Sequence, residues 1–256
     1  MSPSKIRYDF SASLRAYALK IGSGKQKMRL GLGLAALGVT LLILGNQAIK
    51  KNQDSASHTQ EQSVSYRSIT KQDFGADVVE FFWYGCPHCS HLERSLQIQS
   101  FHGGVTNTLL ADGRPATFSR IPAPLNDEWT LGARLFFALD HQGVSEEGQI
   151  QIMDAVREQR PKTREQMKSL LAGVIIPRLT SSSPSFSAQA GEIDERMFSS
   201  SVDSRIESAK QLAASAGISG VPVMVVNGEK IVSLGSGTDY ETMGPKVLSL
   251  LGKSGK

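Results

Sequence analysis

The chain has 256 residues, a hydrophobic fraction of 40%, and 28 Lys plus Arg against 24 Asp plus Glu, a size that accommodates one sizeable domain or two small ones. The formal charge of +4 would point to an acidic partner if it were evenly spread, but residues 1–29 carry seven Lys or Arg against the single acid Asp9, leaving 21 basic and 23 acidic residues, or −2, in the remainder. The basic excess belongs to a tail, and no nucleic-acid partner is inferred from it.

Past the tail, residues 30–49 form a run of 20 without an ionisable group, bracketed by Arg29 and by Lys50-Lys51. As a helix at about 1.5 Å per residue it spans roughly 30 Å, the thickness of a bilayer's hydrocarbon core. The heavier Lys/Arg flank lies on the N-terminal side, which predicts a cytoplasmic N-terminus and a translocated body. A cleaved signal peptide competes, but Asn46-Gln47-Ala48 is a poor cleavage site and Ser55-Ala56-Ser57 lies further on. A buried soluble helix is disfavoured by four glycines and the lack of a polar face. The expected order is a basic cytoplasmic tail (1–29), a transmembrane anchor (30–49), a polar Ser/Gln-rich linker (50–66) and a folded domain (67–256).

Within the domain, a short β-type run near 64–69 precedes 76–84, "ADVVEFFWY", whose continuous apolar character predicts a buried central strand. Cys86 ends that strand, and Pro87 suits the first turn of a helix, "CPHCSHLERSLQIQ". Another strand is expected over 115–123, then helices over 126–141, 146–157, 163–171 and 201–216. Thr163 with Gln166, and Ser204 with Glu207, read as capping boxes. The stretch 179–191 reads as a flexible loop. Asn227-Gly228 between two apolar runs is a hairpin signal, and a last helix covers about 239–251.

Both cysteines of the chain lie in "CPHC", residues 86–89. At a helix N-terminus the first sulfur, Cys86, meets free N–H groups and the positive end of the peptide dipoles, which favours thiolate over thiol. Such cysteines fall from about 8.5 to roughly 3.5–7.5. Cys89, one turn in, should be more buried. A stabilised Cys86 thiolate is a good leaving group, so the Cys86–Cys89 disulfide would oxidise other thiols, with Pro87 and His88 tuning its poise. A zinc half-site lacks further cysteines, since His88 and His91 fall in the same turn. A structural staple across four residues would stabilise little, and chance spacing is the remaining alternative.

The pair "VVEFFWYGCPHC" (78–89) and "GVPVMVVNG" (220–228) resembles the DsbA family of thiol:disulfide oxidoreductases over about residues 63–256, and CPHC is that family's active-site sequence. The resemblance implies an α/β, thioredoxin-like fold with an inserted helical subdomain at about 124–200, here preceded by the transmembrane helix. It implies that Pro222 is a cis-proline whose loop, with Val221, binds extended substrate. It implies that Glu80, costly in an apolar run, is a buried acid serving as proton acceptor for Cys89; an ion pair or a polar pocket is the other reading. The function implied is a dithiol oxidase, with no cofactor or metal, that introduces disulfides into exported proteins. Its expected partners are cysteine-containing exported substrates and a DsbB-like, quinone-linked membrane reoxidant. The expected form is a monomer in the bacterial inner membrane, single-pass, with its catalytic domain in the periplasm. A reductase or isomerase on the same fold, and a tethered non-catalytic chaperone, are the alternatives.

Overall fold

The computed structural model describes residues 66–140, 142–235 and 237–252. The apolar run 30–49, its basic tail and most of the linker lie outside the described residues, among which no helix is long and apolar enough to cross a membrane.

Among the described residues five strands form one mixed sheet: β1 (Arg67–Ser68), β2 (Val78–Phe82), β3 (Phe118–Pro122), β4 (Val223–Val226) and β5 (Lys230–Ser233), in the order β1-β5-β4-β2-β3. Only β2 and β3 pair in parallel; β2–β4, β4–β5 and β1–β5 are antiparallel. Every residue of β2 is buried, as expected of a central strand covered on both faces. The hairpin turns at Asn227 (φ 53°) and Gly228 (φ 73°), two left-handed residues in succession that suit the sheet's twist, with Glu229 N donating to Val226 O (3.2 Å) before the strands pair at Val226 and Lys230.

One sheet face presents Val78, Phe118, Met224 and Val232 to three helices: α1 (Pro87–Ile98) through Leu92 and Leu96, α2 (Phe101–Thr106) through Val105, and, at the chain's end, Met243 and Val247. The other presents Val79, Phe81, Val223, Val225 and Ile231 to a larger cluster. That cluster is built by α3 (Asp127–Ala138), α4 (Glu146–Gln159), α5 (Arg164–Leu170), α6 (Ile176–Ser182), α7 (Ala190–Met197) and α8 (Ser200–Ser215); α9 (Tyr240–Leu251) closes the chain. The side-chain period of two sorts apolar residues of each strand between these two cores.

Helix starts follow local chemistry. Asn126 accepts from Trp129 N (2.9 Å), Ser145 from Gly148 N (3.0 Å) and Thr163 from Gln166 N (3.3 Å). The reciprocal half of the Thr163 box reaches one residue further: Gln166 Oε1 accepts from Lys162 N at 2.7 Å. Ser204 caps nothing, because α8 already begins at Ser200 under the Ser199 cap and Ser204 Oγ donates to Ser200 O (3.0 Å). Nor is 179–191 a flexible loop. Leu179–Ser182 is the last turn of α6, Ala190 and Gly191 open α7, and Ser183, Phe186 and Ala188 between them are buried. The polar composition concealed two apolar anchors. Arg164 locks this region by a two-pronged pair with Asp194 of α7 (3.0 and 2.9 Å).

Candidate functional site

The site forms where β2 runs out. After Phe82 the chain turns through Trp83–Gly85, with Cys86 N donating to Trp83 O at 3.0 Å. A Cβ at Gly85 would run into the Trp83 ring, and one at Gly132 in α3 would lie 3.3 Å from its edge. Trp83 therefore fits between two glycines and stacks on Trp129 (centroids 4.8 Å, 12°), fixing the turn against the helical layer.

Cys86 is the N-cap of α1, with extended φ/ψ of −80° and 119°, and Pro87 is the first helical residue. In the cap position its Sγ accepts from Cys89 N at 3.4 Å, as a capping oxygen would. Hydrogen bonding from Cys89, with further main-chain donors at Cys89 and His88, pulls the Cys86 thiol from 9.0 down to about 7, against burial and the charge of Glu80. Cys89 goes the other way: burial, and then the neighbouring Cys86, push its thiol well above the ordinary value. Two identical side chains in one helical turn thus have divergent acidities, the readily ionised thiol at the mouth and the reluctant one beneath.

Across the mouth lies the loop before β4. The Val221–Pro222 bond is cis, and Val221 O accepts from Cys86 Sγ at 3.7 Å. Tyr66, Arg67, His88, Val221, Pro222 and Leu234 are among the residues around a groove of about 590 Å³ beside the cysteines. His88 donates its main-chain N–H toward the sulfur, while its ring nitrogen Nδ1 lies 2.6 Å from Tyr240 Oη.

Glu80 is wholly buried and is register-paired with Arg120 on β3. Arg120 Nε donates to Glu80 Oε2 (2.8 Å) and Arg120 Nη2 to Glu93 Oε2 (2.7 Å), a guanidinium bridging two carboxyls with all three side chains out of water. Among the described residues the Oε1 atoms of both glutamates have no hydrogen-bond partner. Burial raises the Glu80 carboxyl above its usual range and Glu93 adds to that, with Arg120 opposing. The charge of Glu80 reaches both sulfurs. His102, in α2, is buried and pairs through Nδ1 with Glu146 Oε1 (2.8 Å).

The structure therefore brings Cys86, Pro87, His88, Cys89, Val221 and Pro222 to one mouth and places Glu80 underneath. Arg120, Glu93 and Tyr240 were not among the residues singled out from sequence. Arg120 carried a usable signal, a charge in mid-strand opposite another charge; Tyr240 carried none, since its place depends on how α9 docks on α1.

No family model matches the chain. It is 34% identical over 211 residues to the thiol:disulfide interchange protein DsbA of Azotobacter vinelandii, an alignment covering 81% of this chain and 89% of that protein. Its identity to the Pseudomonas aeruginosa protein of the same name is 31% over 175 residues, 65% of this chain and 71% of that one. The crystal structure of Pseudomonas aeruginosa DsbA superposes with a TM-score of 0.54 at 26% identity, covering 72% of this chain and 87% of that chain.

Proposed function

The chain belongs to the DsbA family of thiol:disulfide interchange proteins, and on that premise we propose that it works as a dithiol oxidase of exported proteins through Cys86 and Cys89. The observation that carries this reading is the opposite displacement of the two thiols, Cys86 to about 7 and Cys89 well above 9.0.

A substrate thiolate attacks Cys86 Sγ of the oxidised pair; the intramolecular S–S bond breaks, a mixed disulfide forms, and Cys89 leaves with the electron pair. Cys89 is a poor anion where it lies, so it takes a proton, and Glu80 with its raised carboxyl is the donor in this direction and the acceptor when the disulfide is remade. The substrate's second thiolate then attacks its own sulfur in the mixed disulfide, and Cys86 departs as a stabilised thiolate. Two electrons have moved from substrate to enzyme. Val221 and Pro222 receive extended substrate in the groove beside Cys86, Pro87 stiffens the turn, and His88 adjusts the charge near the sulfur. A DsbB-like membrane partner takes the electrons onward.

We also propose that the domain (67–256, with a helical insertion at about 124–200) works as a monomer in the periplasm, tethered to the inner membrane by residues 30–49 with residues 1–29 in the cytoplasm. The charge-free length of the run and its asymmetric flanks support this. A tether confines the oxidase to substrates emerging close to the bilayer.

The test is to mix oxidised protein with a reduced, unfolded dithiol substrate and to trap the cellular redox state of Cys86 and Cys89 with an alkylating reagent. Stoichiometric disulfide transfer and a mostly oxidised cellular pair are expected. A mostly reduced pair, with efficient reduction of substrate disulfides, would place the protein as a reductase or isomerase.

A further inference from the structure

His88 is exposed at the mouth of the site, yet its ring is not free. Nδ1 is 2.6 Å from Tyr240 Oη, and the two rings lie nearly parallel (20°) with centroids 6.3 Å apart. The phenol is itself well held. Tyr240 is the first residue of α9, and its carbonyl oxygen accepts from Ser95 Oγ (2.9 Å) and Gln99 Nε2 (3.4 Å), two residues one turn apart on α1. The Asp239 cap fixes the helix start, accepting from Thr242 N at 2.8 Å, and the His91 ring stands edge-on to the Tyr240 ring at 5.6 Å. Because α1 carries both His88 and the side chains that grip Tyr240, the hydroxyl is positioned relative to the same helix whose cap is Cys86. What His88 supplies to the sulfur is its main-chain N–H; its ring is turned to the tyrosine.

We propose that Tyr240 is a positioning residue that holds the His88 ring nitrogen Nδ1 on its own hydroxyl rather than on the Cys86 sulfur and thereby sets the pair to a milder oxidising strength than its CPHC sequence would otherwise give. An imidazolium beside a thiolate stabilises the anion, and a more stable thiolate makes the disulfide a stronger oxidant. With Nδ1 engaged at 2.6 Å by the hydroxyl, that nitrogen is not free to contact the sulfur, although the histidine is still present. The other titratable or charged groups facing the Tyr240 hydroxyl and the groove are Cys86 and Cys89, His91 on α1, Glu241 beside the tyrosine, and Arg67 across the groove, with Glu80 buried below. None of these replaces the hydroxyl at Nδ1.

This inference rests on the disulfide-exchange reading for its consequence, though not for its measurement. The experiment compares the parent chain, Tyr240→Phe, His88→Ala and the double variant. Two quantities are read: the ultraviolet thiolate absorbance of the reduced protein against pH, and the equilibrium with a glutathione redox buffer. Phenylalanine keeps the ring and its packing and removes only the hydroxyl. Tyr240→Phe is expected to lower the Cys86 pKa by ~0.5–1 unit and to shift the glutathione equilibrium about 3- to 10-fold toward reduced protein. In the His88→Ala background the same substitution should change neither. An unchanged or raised Cys86 pKa in Tyr240→Phe, or an equal shift with and without His88, overturns the proposal. Failure of the oxidase reading would show separately, as inability of the parent chain to transfer its disulfide to a dithiol substrate, while the titration difference stood.

Discussion

Replacing Arg120 with methionine would remove the cation that bridges Glu80 and Glu93. Arg120 makes its two bonds at 2.8 and 2.7 Å with side chains 0–1% exposed, so methionine fills much of the volume and leaves two carboxyls in a dry site. Breaking one buried ion pair costs about 3–5 kcal/mol, and because two partners are orphaned at once the upper part of that range is expected. With a urea dependence of about 2–3 kcal/mol per molar, the unfolding midpoint should fall by about 2 M. The stacked pair Trp83 and Trp129 gives a fluorescence signal for the transition. The pH dependence identifies the cause. A carboxyl whose folded pKa lies above its ordinary 4.5, as that of Glu80 already does, contributes stability at lower pH that is lost as pH rises through the folded value. The deficit of Arg120→Met should thus shrink as pH falls and Glu80 takes up its proton, and be largest near neutral pH. Replacing all three residues by apolar ones should cost less than the single change. A deficit under about 1 kcal/mol at neutral pH, or one that does not shrink on acidification, would refute the account of a cation neutralising buried acids.

The Cys86 thiol, lowered from 9.0 to about 7, stabilises the reduced fold above its unfolded pKa and loses that contribution as pH falls through 7. This is worth about 0.4 kcal/mol at pH 7 and about 1.4 kcal/mol at pH 8, read as the difference in urea stability between reduced protein and Cys86→Ala across that interval. Glu80→Gln removes the proton carrier proposed for Cys89 and should slow disulfide transfer by about 10-fold or more in stopped-flow measurements. It should also move the Cys86 titration downward, because the charge of Glu80 opposes that thiolate. Gly228→Ala should destabilise by about 1–3 kcal/mol in the same urea assay, since its φ of 73° is left-handed and an added Cβ would meet the Gln72 carbonyl oxygen.

Much of this could be read along the chain, for local reasons. A run such as 78–82, apolar on both faces, has few alternatives to a central strand, and Cys86-Pro87 has the chemistry of a helix start whatever surrounds it. Asn227-Gly228 names its own turn. The readings that failed were those in which polar composition stood in for exposure. Ser183, Phe186 and Ala188 lie in a serine-rich stretch and are nevertheless buried, because Ser183 Oγ is taken up at the start of α4 and the other two join the larger apolar cluster. Helix α2 was missed because two glycines and a histidine obscure any apolar period in its six residues.

The site divides along the same line. Sequence alone determined that two thiols would share one helical turn and that the first would cap it, because a hydrogen bond from N–H to a capping atom three residues back needs nothing beyond that turn. It could not determine what opposes Glu80, what presses on Cys86 from across the mouth, or which way the His88 ring turns. Those are settled by Arg120 forty residues away, by the Val221–Pro222 loop and by Tyr240, which reach the cysteines only when β3, β4 and α9 take their places around β2 and α1. The physical reason is range: backbone capping acts within one turn, whereas electrostatics in a water-free interior answer to whatever the fold brings within a few ångströms.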